Sequence, residues 1–331
     1  MRDFIQSLPK AELHVHLEGT FEPEHIFAMA ARNGIDLGYE SPEAIVAAYD
    51  FYDLPSFLTF YYKAMHALQT EQDFYELTYA YFEKAKADNI VYVEPFFDPQ
   101  GHTSRGVAFE TIISGIHRAQ ADARTNLGIE SNLIMCFLRD MSAESAMEHL
   151  LMSLPFKEWI IGVGLDSDEK DNPPLKFAEV FQRARAEGYK LTMHCDVNQK
   201  DILGHMWECL NEIQVDRIDH GVNSLEDPSL CEEIAKRGLG LTVCPVSNNF
   251  VVQTYTTDEI RKMLQLGMKA TVNSDDPAYF RAYLTDNFVA LAEHGEFTQA
   301  EITQLVKNAF EVSWLSEADI AEHLAAVNAA A

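Results

Sequence analysis

The chain has 331 residues, 47% apolar and 23% charged, with 52 acidic against 25 basic side chains and a formal net charge of −27. That length suits one large α/β barrel or two ordinary domains, and the thin spread of Gly and Pro excludes collagen-like and disordered classes. The acidic surplus repels phosphate backbones, which argues against nonspecific binding to nucleic acid or anionic membranes while leaving a single nucleobase open as a ligand.

In chain order, eight short apolar or β-branched runs read as strands, over residues 11–17, 90–97, 132–138, 159–165, 190–195, 217–222, 240–246 and 269–273. Several are nearly continuous in apolar residues, as strands buried on both faces of a parallel sheet are. Between them lie stretches of helical period, over 72–86, 109–126, 177–188, 201–213, 230–237 and 257–266. Strand alternating with helix eight times predicts a (β/α)8 TIM barrel in one domain spanning 1–331, with a doubly wound open sheet as the runner-up. No GxGxxG or GxxxxGK[ST] loop follows an early strand, against a dinucleotide or P-loop reading. The aromatic, helix-patterned insertion after the first strand, around 50–68, reads as a pocket wall at the barrel rim or as a peripheral helical pair. Residues 280–328 read as extra helices closing the barrel, followed by a frayed Ala-rich end.

The five cysteines are odd in number, widely spaced and free of CxxC, so a disulfide framework is not expected and a reducing cytoplasm is. The N-terminus lacks a secretory pattern, and no apolar run approaches the ~20 residues that span a bilayer. A soluble cytoplasmic protein is expected. The sequence does not fix its oligomeric state.

Chemistry concentrates at the strand ends. His14 and His16 lie two apart, so on a strand both project from one face, the interior in a barrel. His194 ends the fifth run, His220 the sixth, and Asp275 and Asp276 follow the eighth. Taken singly, each reads equally as a polar strand end, a satisfied buried His or a helix-capping Asp. Together they occupy the positions that converge on one mouth of a barrel. His14, His16, His194 and Asp275 then supply three neutral nitrogens and a carboxylate, a set suited to one Zn2+ or another divalent metal with a position open for water. Such an ion lowers the pKa of bound water to about 7.

KAELHVHLEGTFEPE, HC, RIDHG, LTVCPVSN and VNSDDPAYF, in this order, resemble the adenosine/adenine deaminase family of metal-dependent (β/α)8 hydrolases over nearly the whole chain. Within it, the adenine deaminases share VEPFFDPQ and VGLDS with this chain. Glu18 stands where nucleoside-acting members carry a ribose-contacting Asp, which implies a free purine base as substrate, with adenosine as the alternative. The resemblance implies that His14, His16, His194 and Asp275 hold Zn2+ and that His220 orients and polarises the attacking hydroxide. It further implies that Asp276 hydrogen-bonds purine N7, that the Ser167 backbone N–H meets N3, and that Leu54, Phe57 and Phe60 form the apolar wall over the base. The expected reaction is hydroxide attack at C6 of adenine or an N6-substituted adenine, with loss of the amine. The cytidine-deaminase signature, H-x-E with P-C-x-x-C, is absent.

One motif departs from the family. Its His-Ala-Gly-Glu is His194-Cys195-Asp196-Val197 here, so Val197 stands where the family has the acid that protonates N1. Three explanations fit: a substitute acid such as Asp196, a substrate that needs less help, or a catalytically silent metal- and purine-binding protein.

Overall fold

The computed structural model describes residues 1–195 and 200–331. Ten short strands form the inner wall: β1 (Lys10–Glu12), β2 (Ile90–Val93), β3 (Phe96–Phe97), β4 (Glu130–Ser131), β5 (Leu133–Leu138), β6 (Ile160–Asp166), β7 (Lys190–Cys195), β8 (Arg217–His220), β9 (Gly240–Val243) and β10 (Lys269–Val272). They pair in parallel as β1-β2-β4 and β10-β9-β8-β7-β6-β5-β3. Residues 13–17 stitch the two arcs into a ring, through bridges Val15 to Asp275 and His16 to Phe96. Their backbone bonds are His16 N to Asp275 O at 2.9 Å, Asp275 N to His14 O at 3.1 Å and Phe96 N to Val15 O at 2.8 Å. The result is a closed parallel barrel of the (β/α)8 kind, as expected.

The ring is dry where sequence reads apolar. All six residues of β5 are buried, and each such Leu, Ile or Phe contributes about 1.5–3 kcal/mol on burial. A buried ion pair lies inside it: Arg217 Nη1 donates to Glu94 Oε2 at 2.5 Å, both fully buried, and the guanidinium lies 4.3 Å from the Trp314 ring. The five cysteines are free and buried.

Several predicted runs are shorter in the structure. The run 90–97 splits into β2 and β3 at Pro95, which has no N–H to give a ladder. The run 217–222 stops at His220, where φ is +59°, followed by Gly221 at +82°. The run 240–246 stops at Val243 because Pro245 opens the helix Pro245–Val252. The Ala-rich terminus is not frayed: the helix Glu317–Ala330 runs through it, capped by Ser316. The insertion is settled as a pocket wall. Its helix Leu54–Met65, started by an Asp53/Ser56 capping box, lays Leu54, Phe57, Leu58, Tyr61 and Tyr62 over the barrel mouth. No helix among the described residues is long and apolar enough to cross a membrane.

Candidate active site

The C-terminal strand ends open into a cavity of about 820 Å3, counted to its mouth. His16 reaches it from the stitch after β1, with His14 buried behind the lining, His194 from β7, His220 from β8 and Asp275 and Asp276 from just beyond β10. Ligand atoms of His14, His16, His194 and Asp275 all lie within 4.8 Å of one another, and all four residues are buried.

Hydrogen bonds behind the cluster set its chemistry. His14 Nδ1 gives its proton to Thr242 Oγ1 at 2.9 Å, because that hydroxyl spends its own on Asp219 Oδ1 at 3.0 Å. The His14 Nε2 lone pair is left without a hydrogen-bond partner, 3.3 Å from Asp275 Oδ1. His194 Nδ1 likewise donates to the Leu165 carbonyl at 3.1 Å, which turns its Nε2 lone pair toward His16 Nε2. Lone pairs facing lone pairs and a carboxylate, in a buried place, are what a divalent cation requires; the fit is to three imidazoles and one carboxylate, the zinc type of set. Burial, opposed by Asp275, holds the His16 imidazole at about 4, and burial with the His14, His16 and His220 rings holds His194 well below its usual value. The imidazoles are therefore neutral, as ligation needs. Burial alone would raise the Asp275 carboxyl, but His14, His220 and His16 hold it well below the carboxylate range.

Next to the cluster, His220 Nδ1 pairs with Asn248 Oδ1 at 3.3 Å and its Nε2 lies 3.8 Å from Asp275 Oδ2. Ser247 Oγ donates to that same Oδ2 at 2.6 Å. Asp276 is the electrostatic opposite of its neighbour: burial and the adjacent Asp275 push its carboxyl well above the usual range. The two adjacent carboxyls are thus pushed in opposite directions. Gly19 backs Asp276 so closely that a Cβ there would meet Asp276 Oδ1 at 2.1 Å and its Cα at 2.8 Å. Ser167, His220 and Asp275 all hold left-handed backbone, φ +73°, +59° and +65°, a strain that clusters at functional sites.

Leu54 and Phe57 line the cavity, and so does Ser167, whose Oγ shares a 2.6 Å hydrogen bond with Tyr62 Oη. Phe60 does not reach the lining; it stands one layer back, against Tyr39, Tyr49, Phe51 and Tyr279. Glu18 also lies off the lining. Its Oε1 turns away to accept His102 Nε2 at 2.8 Å and the Asp98 N–H at 3.1 Å. Asp196 and Val197 lie outside the described residues. Sequence reading passed over Asp166, Ser247 and Asn248, which line the cavity. Asp166 ends its strand as His194 and His220 end theirs, and that position was the available signal. Burial pushes its carboxyl up to about 7.

The barrel and its buried cluster of His14, His16, His194 and Asp275, able to hold an ion, are those of a metal-dependent hydrolase. The chain belongs to the adenosine deaminase family, whose profile matches residues 9–330. It is a deaminase. An uncharacterized deaminase of Schizosaccharomyces pombe is 50% identical over 98% of this chain and 96% of its own length. The adenine deaminase of Acinetobacter baylyi is 49% identical over 95% of each chain. Among solved structures, the adenine deaminase from Arthrobacter aurescens superposes with a TM-score of 0.93 at 43% identity, covering 97% of this chain and 98% of that one. An amidohydrolase from Burkholderia ambifaria, solved with bound Zn, superposes with a TM-score of 0.91 at 27% identity, covering 99% and 92%.

Proposed function

We propose that this protein is a zinc-dependent aminohydrolase that removes the 6-amino group of a free purine base, adenine or an N6-substituted adenine. The observation that carries the reading is the convergence of three imidazoles and Asp275 beside His220 and Asp276, on the floor of an apolar-walled cavity. His14, His16, His194 and Asp275 would hold a divalent ion, whose chemistry when bound would be to lower the pKa of a water to about 7.

The remaining work belongs to side chains. His220, its Nδ1 tied to Asn248, turns Nε2 toward the cluster to hold the attacking water and take its proton. Asp276 meets N7 and the Ser167 N–H meets N3, which fixes C6 toward the ligand set. Phe57, Leu54 and Leu58 cover the ring and exclude bulk water. The amine leaves with a proton, and Asp196 is the candidate donor to N1.

Release of ammonia or alkylamine from adenine, N6-methyladenine and adenosine tests the reading. Turnover of the two bases above adenosine is expected. Inactivity on all three, with metal bound, defeats it. In an enzyme with a rerouted donor Val197→Glu leaves adenine turnover unchanged or lower, whereas a large gain identifies a site that lacks only its acid.

A further inference from the structure

Resting on the aminopurine reading, we propose that Asp98 selects the free base: its Oδ1 accepts the N9–H that a purine base carries and a nucleoside lacks. Asp98 lines the cavity and is 2% exposed. Its Oδ2 accepts the Tyr61 hydroxyl at 3.3 Å, while its Oδ1 has no hydrogen-bond partner. Asp166, beside it, turns Oδ2 to within 3.5 Å of His16 Nδ1, and burial next to Asp166 pushes the Asp98 carboxyl well above the usual range, which leaves its carbonyl oxygen to accept. A buried acceptor left unmet is costly, and a site keeps one where a ligand brings the donor.

The backbone that carries this carboxyl is held in place. The Asp98 N–H is tied to Glu18 Oε1, Glu18 is held by His102 Nε2, and Arg105 bonds His102 Nδ1 from behind at 2.7 Å. This relay gives Glu18 a positioning role toward Asp98 in place of contact with the substrate.

Purine geometry supplies the direction. With C6 at the ligand set, N7 on Asp276 and N3 on Ser167, the remaining ring nitrogen, N9, points between those two residues. Asp98 sits on the arc between them: Asp166, whose carboxyl lies within 4.8 Å of its own, immediately precedes Ser167, and Glu18, which its N–H bonds, immediately precedes the Gly19 that backs Asp276. A base offers N9–H there. A nucleoside presents a carbon substituent to a carboxylate and leaves Oδ1 unmet. Sites built to hydrogen-bond an N–H reject analogues lacking it more strongly than apolar pockets reject extra bulk.

The test compares adenine with 9-methyladenine on the wild type, Asp98→Ala and Asp98→Asn. It uses turnover by the metal-loaded enzyme and calorimetric binding to the metal-depleted protein. Wild type should favour adenine about 100-fold or more. Asp98→Ala should collapse that preference to roughly threefold or less by losing adenine, with Asp98→Asn retaining part of it through its amide oxygen. An equal loss on both purines, or a wild type indifferent to the methyl group, overturns the inference while the aminopurine reading stands. Metal analysis adds a further check: two ions per chain, one of them lost in Asp98→Ala, makes His16, Asp98 and Asp166 a second metal position and also overturns it. Neither binding nor turnover of either purine by the wild type brings down the aminopurine reading and this inference with it.

Discussion

His16 Nε2 and His194 Nε2 face each other across 3.2 Å, and the His194 ring has its proton committed to the Leu165 carbonyl on the far side. Two imidazole nitrogens hold that approach when a cation lies between them. Elemental analysis of protein purified without chelators should return about one divalent ion per chain. Stripping it should lower the melting temperature by several degrees, restored by added Zn2+, since an ion at 1,000 times its Kd stabilises by about 4 kcal/mol. His194→Ala should abolish both the ion and the shift.

His220 is outside the four-residue set yet adjacent to it. His220→Gln should therefore keep the metal while lowering kcat by about 10²–10⁴-fold, the range for losing a positioned acid–base group. Metal content and kcat measured on the same preparation separate the two effects.

Gly19→Ala is expected to damage the site through Asp276. The new methyl group would overlap Asp276 side chain and backbone together, so neither can yield alone. Overpacking of this kind costs about 1–3 kcal/mol. The melting temperature should fall, and kcat/KM for adenine should fall further than stability alone explains. An alanine variant with unchanged kinetics would show that Asp276 does not hold the base.

Lys10 sets a pH dependence at the opposite end of the barrel. Its Nζ donates to the Ile5 and Leu8 carbonyls at 2.8 and 2.9 Å, and burial, opposed by Asp88, lowers its pKa from 10.5 to about 8. Between those values the unfolded chain holds a proton that the folded chain has released. Lys10 therefore contributes its full stabilisation above about 10.5, and this is lost as pH falls through about 8. Denaturant unfolding of wild type and Lys10→Met should show the difference moving in favour of wild type from pH 8 to pH 10, on the order of 2–3 kcal/mol in all.

The clustering of His14, His16, His194 and Asp275 was legible in sequence because each lies in or just beyond the end of an apolar run, and strand ends in a parallel barrel share one mouth. Alternation alone put His14 and His16 on one face. Other features depend on partners far along the chain. Glu18 reads as a substrate group; His102, 84 residues on, takes its Oε1, while its Oε2 has no hydrogen-bond partner. Phe60 reads as wall by its spacing from Phe57, but Tyr39, Tyr49 and Tyr279 pull it into the layer behind. Asp166, in a Leu-Asp-Ser step, looks like an ordinary turn residue. Only the barrel's curvature sets it against Asp98 and His16.

The stitch at residues 13–17 has a further consequence. The peptide that joins the two arcs of the ring is the same one that carries two of the four proposed metal donors, and its bridge to Asp275 fixes a third. Closing the cylinder and assembling the donor set are therefore a single event. A chain with the seam unzipped has no partial site to offer an ion, so metal affinity and resistance to global unfolding should rise and fall together.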